Sequence, residues 1–255
     1  MTAARLSRTG RTEHPWFVSS IPLNLFSVEE LLHFLYHNPE LIDEEIRSAA
    51  LARWLVTEFK MTDTALRMER GLGKGRSLKD FILPLFRDTA YLSSGDLLRY
   101  TRELDLLETA SYPERLRRKA DALVRNARYG EAVLNYHMAE ESAPKEDRGL
   151  LAAIFKGRGI ALMRLLAWDE GCAAFEKSMR MVQSGNTLRL LLTAYRIAKP
   201  EEVFRLRAEE LEASSDLLEE IDREIAAARA EVTETEVTDS LLLALREQYH
   251  KEAGT

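Results

Sequence analysis

Apolar residues recur at steps of three and four along most of the chain, which is the spacing that places them on one face of an α-helix. The stretch Ser27-Val28-Glu29-Glu30 has the form of a capping box, so a helix is predicted to begin there and to end at Asn38-Pro39. Further helices are predicted over residues 43–59 and 62–70, from Ser77, and from Ser93 or Ser94. The helix over residues 43–59, the second along the chain, is expected to face the core with four residues, namely Ile46, Ala49, Ala50 and Trp54.

The central region, from Leu116 to Met181, repeats one pattern of bulky, small and aromatic residues over two predicted helix pairs. In the second pair the pattern is held by Phe155, Gly159, Leu162, Gly171, Phe175 and Ser178, and in the first by Leu116, Ala120, Leu123, Ala132, Tyr136 and Ala139. Small residues let two helix backbones approach closely, and the aromatic fills the space between neighbouring pairs. An aromatic residue, Tyr129 or Trp168, marks the turn of each pair.

This pattern resembles the tetratricopeptide repeat, a helix-turn-helix unit that stacks into a right-handed α-solenoid. The small residues Ala120 and Gly159 are 39 positions apart, against about 34 in that family. The polar connector of residues 142–147 accounts for the excess. A third, degraded pair is predicted over residues 187–197 and 200–213. The resemblance implies a scaffold that binds other proteins, with the first helix of each pair lining a concave groove.

The C-terminal region predicts a long helix from Ser215 that carries an apolar stripe of Leu218, Ile221, Ile225, Ala228 and Val232. Packing back on the repeats is the favoured interpretation, and a homodimer through Leu218, Ile221 and Ile225 is the alternative. Residues 233–238 are expected to break the helix, and a last one, with Leu242, Leu245 and Tyr249, is expected to seal the exposed end.

The predicted fold is therefore all-α: a tetratricopeptide-like α-solenoid with an irregular N-terminal helical region. The expected domains are a flexible tail (1–15), the N-terminal helical region (16–112), the repeat array (113–213) and C-terminal capping helices (214–255). Residues Phe26 to Leu31 fit a Phe/Tyr-Ser-x-Glu-Glu-Leu motif. With this motif, the whole chain resembles bacterial proteins of the Firmicutes type, in which such a segment precedes tetratricopeptide-like repeats. The resemblance implies no activity.

Composition supports a helical protein without a general affinity for anions. The chain has 255 residues, of which 45% are hydrophobic and 31% charged, and its net charge is −6. This charge gives no overall basic field for nucleic acid or an anionic membrane. No stretch approaches the roughly 20 apolar residues that span a bilayer. The single cysteine, Cys172, is expected to be buried, and a cytoplasmic location is the simplest interpretation.

Candidate chemistry is sparse. His33 and His37 are one helical turn apart and could share a metal, but a zinc site needs three or four ligands. The run Gly71 to Ser77 lacks the spacing of a phosphate-binding P-loop. No catalytic triad, carboxylate pair or Cys-His motif is visible. We therefore expect no enzyme activity, no metal and no cofactor.

The predicted working surface is the groove implied by the resemblance. Its residues are Arg117, Asp121 and Arg125 from the first pair and Lys156, Ile160, Met163 and Arg164 from the second. Such a groove is expected to be basic and to bind an acidic peptide or the C-terminus of a partner protein, which makes the protein an adaptor. Two alternatives stay open: a self-associating structural protein, and a nucleic-acid-binding or regulatory module. The latter would use Arg115, Arg117, Arg118, Lys119, Arg125 and Arg128.

Overall fold

The computed structural model describes residues 9–231 and 238–253, with side chains up to residue 248, and over these residues the protein is all-α with one small hairpin. The strands are β1 (Trp16–Val18) and β2 (Leu23–Leu25). The helices are α1 (Val28–His37), α2 (Ala49–Phe59), α3 (Thr62–Arg70), α4 (Leu78–Thr89), α5 (Ser94–Thr109), α6 (Tyr112–Arg125), α7 (Tyr129–Ser142), α8 (Arg148–Arg164), α9 (Trp168–Met181), α10 (Gly185–Ala198), α11 (Glu201–Glu210), α12 (Ser215–Ala230) and α13 (Asp239–Ala253). The predicted tail lies partly, at residues 1–8, outside the described residues.

The described residues form two compact units. The first comprises residues 9–110 together with α13, and the second runs from residue 111 to residue 231 and includes residue 238. Helices α6 to α12, with both predicted helix pairs, therefore belong to the second unit. Within the first unit α13 lies against β2.

The first unit begins with an antiparallel hairpin in which Trp16 pairs with Leu25. Helix α1 follows at once, and Ser27 caps it as predicted by accepting a hydrogen bond from the amide of Glu30 at 3.1 Å. Asn38 ends the same helix. The core of this unit contains Tyr100, which is 1% exposed and donates its hydroxyl to the carbonyl of Leu35 at 2.7 Å.

The predicted start of the second helix is wrong. Residues 43–48 form turns, because the carboxylate of Asp43 accepts hydrogen bonds from the amides of Glu45 and Ile46, both at 3.1 Å, and Ser48 then caps α2. The buried face of α2 is consequently Leu51, Ala52 and Leu55. Of the four residues expected to face inward, Ile46 is buried, whereas Ala49 and Trp54 are half-buried and Ala50 is exposed.

The two helix pairs of the second unit close with the same backbone turn. In the first pair the amide of Arg128 donates to the carbonyl of Leu123 at 2.8 Å, and in the second that of Ala167 donates to Leu162 at 3.0 Å. The residue before each donor is left-handed, with φ of 56° at Ala127 and 62° at Leu166. These residues differ by 39 in number in every case, so the repeat seen in the sequence is also a repeat of the backbone hydrogen bonds.

Small residues admit aromatic rings on both sides of α8. A methyl group added to Gly159 would lie 2.6 Å from the ring of Phe175 on α9, and one added to Gly157 would lie 2.3 Å from the hydroxyl of Tyr136 on α7. Both rings are buried. Neither position has room for a side chain, and α8 is held against the helices before and after it.

Two further helices and α12 complete the second unit. The core here joins Leu192 of α10, Phe204 and Ala208 of α11, and Ile221 of α12, which is 0% exposed. Leu218 and Ile225 are packed against the same cluster. Three members of the apolar stripe expected on α12 thus pack within the chain, as the favoured interpretation held, whereas Ala228 is exposed. The last member of the stripe, Val232, and the predicted break after it lie outside the described residues, apart from Thr238.

Candidate functional site

Helices α6 and α8 are neighbours, and two adjoining depressions lie between them. One, of about 240 Å³, is lined by Arg117, Asp121, Val124, Arg125, Tyr136, Ala153, Lys156, Gly157 and Ile160. The other, of about 460 Å³, is lined by Ser111, Glu114, Arg117, Asp147, Gly149, Leu150 and Ala153. Because Arg117 and Ala153 border both, we treat the two as one surface and call it the α6–α8 groove. From Glu114 to Arg125 it follows α6 for roughly 16 Å, the length of about five extended residues.

The structure brings five of the seven predicted site residues together in this groove. They are Arg117, Asp121, Arg125, Lys156 and Ile160. Met163 instead packs against the cluster that contains Cys172 and Phe175. Arg164 is the last residue of α8 and is exposed, but it does not line either depression.

Arg117 is committed to carboxylates of its own helix. Its side chain is 20% exposed, and its Nε and Nη2 atoms donate to the two oxygens of Glu114, both at 2.8 Å. Its Nη1 atom donates to Asp121. Glu114 also accepts from Nε of Arg118 at 2.7 Å. The hydrogen bond from Arg117 contributes most, and together these contacts lower the pKa of Glu114 to about 2. The carboxylate is therefore charged at neutral pH.

Tyr136 extends this network into the core. Its hydroxyl donates to the second oxygen of Asp121 at 2.5 Å, and its ring lies on Gly157 of the next helix pair. Burial and the charge of Asp121 raise the pKa of Tyr136 well above its usual value. The phenol therefore stays protonated and serves as a buried hydrogen-bond donor.

The equivalent positions of the second pair hold different residues. Counting 39 residues on from Glu114, Arg117, Asp121 and Tyr136 gives Ala153, Lys156, Ile160 and Phe175. Both carboxylates are thus replaced by apolar side chains, and the phenol by a phenyl ring. Lys156, which is half-buried, makes no hydrogen bond or ion pair with any residue in the described part of the protein.

The charges along the groove balance. Arg117, Arg125 and Lys156 are the cations that line it, and Glu114, Asp121 and Asp147 are the carboxylates. The sequence prediction of a basic groove did not include Glu114 or Asp147. The signal was present, because Glu114 precedes Arg117 by three residues and Arg118 by four, the spacings at which opposite charges meet on a helix.

Most of the other basic side chains of the first pair also have partners. Of the six considered for nucleic-acid binding, Arg117 and Arg118 pair with Glu114, and Arg128 pairs with Glu131. Such pairs compete with phosphate for the guanidinium groups. This observation gives the nucleic-acid alternative no support.

The remaining sequence candidates do not form sites. His33 and His37 are exposed on α1 with ring centroids 4.3 Å apart, and no three His, Cys, Asp or Glu side chains within the described ranges gather where they could hold a metal ion. At the Gly71 to Ser77 run, Ser77 and Asp80 form a capping box and the amide of Leu78 donates to Glu108, so carboxylates already occupy the start of α4.

In comparisons with known proteins, no family model, no curated protein and no solved structure matches the sequence. None of the helices in residues 9–231 and 238–253 is both long and apolar enough to cross a bilayer.

Proposed function

We propose that this protein is a non-catalytic adaptor of the tetratricopeptide-like solenoid type, in which the α6–α8 groove binds an extended segment of a partner protein. The observation that carries the proposal is the continuity of the groove along the first helices of the two repeated pairs. In such an array the third pair and α12 cover the end, as terminal elements of a solenoid do. A cytoplasmic location and an anionic partner segment remain part of the proposal.

The chemistry of the groove fits binding better than catalysis. Arg117 pairs with Glu114 and Asp121, and the Tyr136 phenol donates to Asp121. A segment of about five residues would find cations, carboxylates and aliphatic side chains along one surface, which is the mixture that protein interfaces use at their rims.

Site-specific photocrosslinking tests this proposal. A photoreactive amino acid at Ile160 reports on the groove, and the same residue at Leu134, which is 63% exposed on α7, is the matched position outside it. In an extract of the source organism we expect a defined partner to crosslink at Ile160 and not at Leu134.

The variant Lys156→Glu should abolish that crosslink, whereas Lys145→Glu, in the exposed connector between α7 and α8, should leave it intact. Circular dichroism of both variants shows whether the helices are preserved. Crosslinking at Leu134 alone, or at Ile160 and Leu134 alike, would place the interface elsewhere and refute the proposal.

A further inference from the structure

Arg117 and Lys156, two cations of the groove, differ in the residues that lie one helical turn before and after them. Arg117 has Glu114 three residues before it and Asp121 four residues after it, and it bonds to both. Lys156 has Ala153 and Ile160 at the same two positions. A ligand carboxylate that approached Arg117 would have to displace a charge partner already in place, whereas at Lys156 there is none among the described residues.

We propose that Lys156 is the ligand-binding cation of the α6–α8 groove and that the ligand presents one carboxylate flanked by aliphatic side chains, not a run of acidic residues. This inference rests on the proposed function, because it assigns the ligand chemistry of the same groove. The proposed ligand is thus no longer any acidic segment, but a segment with a single anionic residue between apolar ones.

The surroundings of Lys156 supply the apolar part of this preference. Val124, Ala153 and Ile160 line the same depression. An ammonium group on such a surface lets a carboxylate bind with an aliphatic neighbour in contact with Val124 or Ile160. Partial exclusion of water strengthens the ion pair, and the aliphatic contact adds buried area.

The carboxylates of the groove supply the selection against acidic runs. Asp121 lies in the same depression as Lys156, and Glu114 and Asp147 line the adjoining one. In a ligand with several neighbouring carboxylates, one would reach Lys156 and the others would meet these like charges. The balanced groove therefore accepts one negative charge and repels a series.

Fluorescence anisotropy with four labelled peptides tests the proposal on the full-length protein. The first carries one internal Glu between Leu and Val and has both ends capped, and the second has Gln for that Glu. The third is a capped run of Glu residues. The fourth has the Gln sequence but a free carboxylate after a final Leu, so that it separates a peptide terminus from an internal side group as the source of the charge.

We expect the single-Glu peptide or the free-terminus peptide to bind at least about tenfold more tightly than the Gln peptide, the contribution of one charge-assisted contact. The run of Glu residues should bind more weakly than either. Lys156→Gln should erase the advantage of the charged peptide, and Lys145→Gln should not change it. Asp121→Asn should strengthen binding of the Glu run, because it removes the negative charge that lines the same depression as Lys156.

Two results would overturn the inference. If the Glu run binds most tightly and Lys156→Gln leaves it bound, another cation recognises the ligand, while the crosslink at Ile160 would still stand for the groove itself. If the peptides bind without regard to charge, the assignment of Lys156 is refuted. The crosslink at Ile160 in the native protein, with none at Leu134, decides the proposed function separately.

Discussion

The two helix pairs of the second unit share a backbone and differ in chemistry. The first pair places a charged network, Glu114–Arg117–Asp121 with the Tyr136 hydroxyl, where the second places Ala153, Lys156, Ile160 and Phe175. The turn that follows each first helix is nevertheless closed by equivalent hydrogen bonds. The comparison teaches that in this array the small and aromatic residues determine the packing, whereas the groove residues one position away are free to diverge.

Transferring the second pair's chemistry to the first is the strongest test of this comparison. Asp121→Ile alone should cost about 2–3 kcal/mol of unfolding free energy, because the buried Tyr136 hydroxyl loses its acceptor and Arg117 one of its carboxylates. Adding Tyr136→Phe should recover most of that loss, since the pair then matches Ile160 and Phe175. Urea unfolding followed by circular dichroism measures both. A double variant as unstable as the sum of the two single variants would show that the network is not a replaceable unit.

The next effect concerns the small residue of each pair. Gly159→Ala should destabilise the protein by about 2 kcal/mol, because the new methyl group would meet the Phe175 ring at 2.6 Å. In the first pair an alanine, Ala120, already occupies this place, and Ala120→Gly should cost only about 1 kcal/mol through helix propensity. Thermal unfolding of the two variants compares them directly. Rescue of Gly159→Ala by Phe175→Leu would identify the ring as the obstacle, and stability unchanged from the native protein would argue against the close contact.

Acid should weaken the first pair through Glu114, which has no counterpart in the second pair. The pKa of Glu114 is about 2 in the folded protein against 4.5 as its ordinary value, so its contribution to stability is present above pH 4.5 and is lost as the pH falls towards 2. Allowing for solvent screening, we expect this contribution to be about 1–2 kcal/mol.

Glu114→Gln should therefore lower stability at neutral pH and flatten its decline between pH 4.5 and 2, as seen in urea midpoints across that range. Ala153 stands at the equivalent position of the second pair. If the native protein and the variant lost stability in parallel over this range, Glu114 would not be the group responsible.

The smallest expected change is a gain. Ala127 and Leu166 hold the left-handed position after α6 and α8, with φ of 56° and 62°. Glycine adopts this conformation without a steric penalty, and Leu166 is 66% exposed, so its isobutyl group adds little packing. Ala127→Gly and Leu166→Gly should each stabilise the protein by about 0.5–1 kcal/mol in thermal unfolding, and equal gains would show that the two turns are energetically alike. A loss of stability in Leu166→Gly would show that the Leu166 side chain makes a stabilising contact.

The features that the sequence predicted well are those fixed by local chemistry. Ser27, Ser77 and Ser93 cap the helices that they were expected to cap, and all but one of the twelve pattern residues of the two pairs are buried, Leu116 being half-buried. Cys172 is buried, as expected.

The features that the sequence did not predict depend on which of several possible hydrogen-bond partners a side chain takes. The Asp43 carboxylate could have begun a helix, yet it closes a turn, and Ser48 begins α2 instead. Likewise, the spacing of Arg117 from Glu114 and Asp121 shows that they can meet, but only three-dimensional packing determines whether the guanidinium points along its helix or out to a ligand. The domain boundaries, the tetratricopeptide-like solenoid and the groove's ligand stay predictions.

The equivalence of the two turns also bears on how such a protein can grow. Because the hydrogen bonds of Arg128 with Leu123 and of Ala167 with Leu162 recur after 39 residues, a tandem duplication of 39 codons within this region recreates the same turn at its junction. A single recombination event can thus lengthen the array by one unit, and later substitutions can give the new groove position its own chemistry.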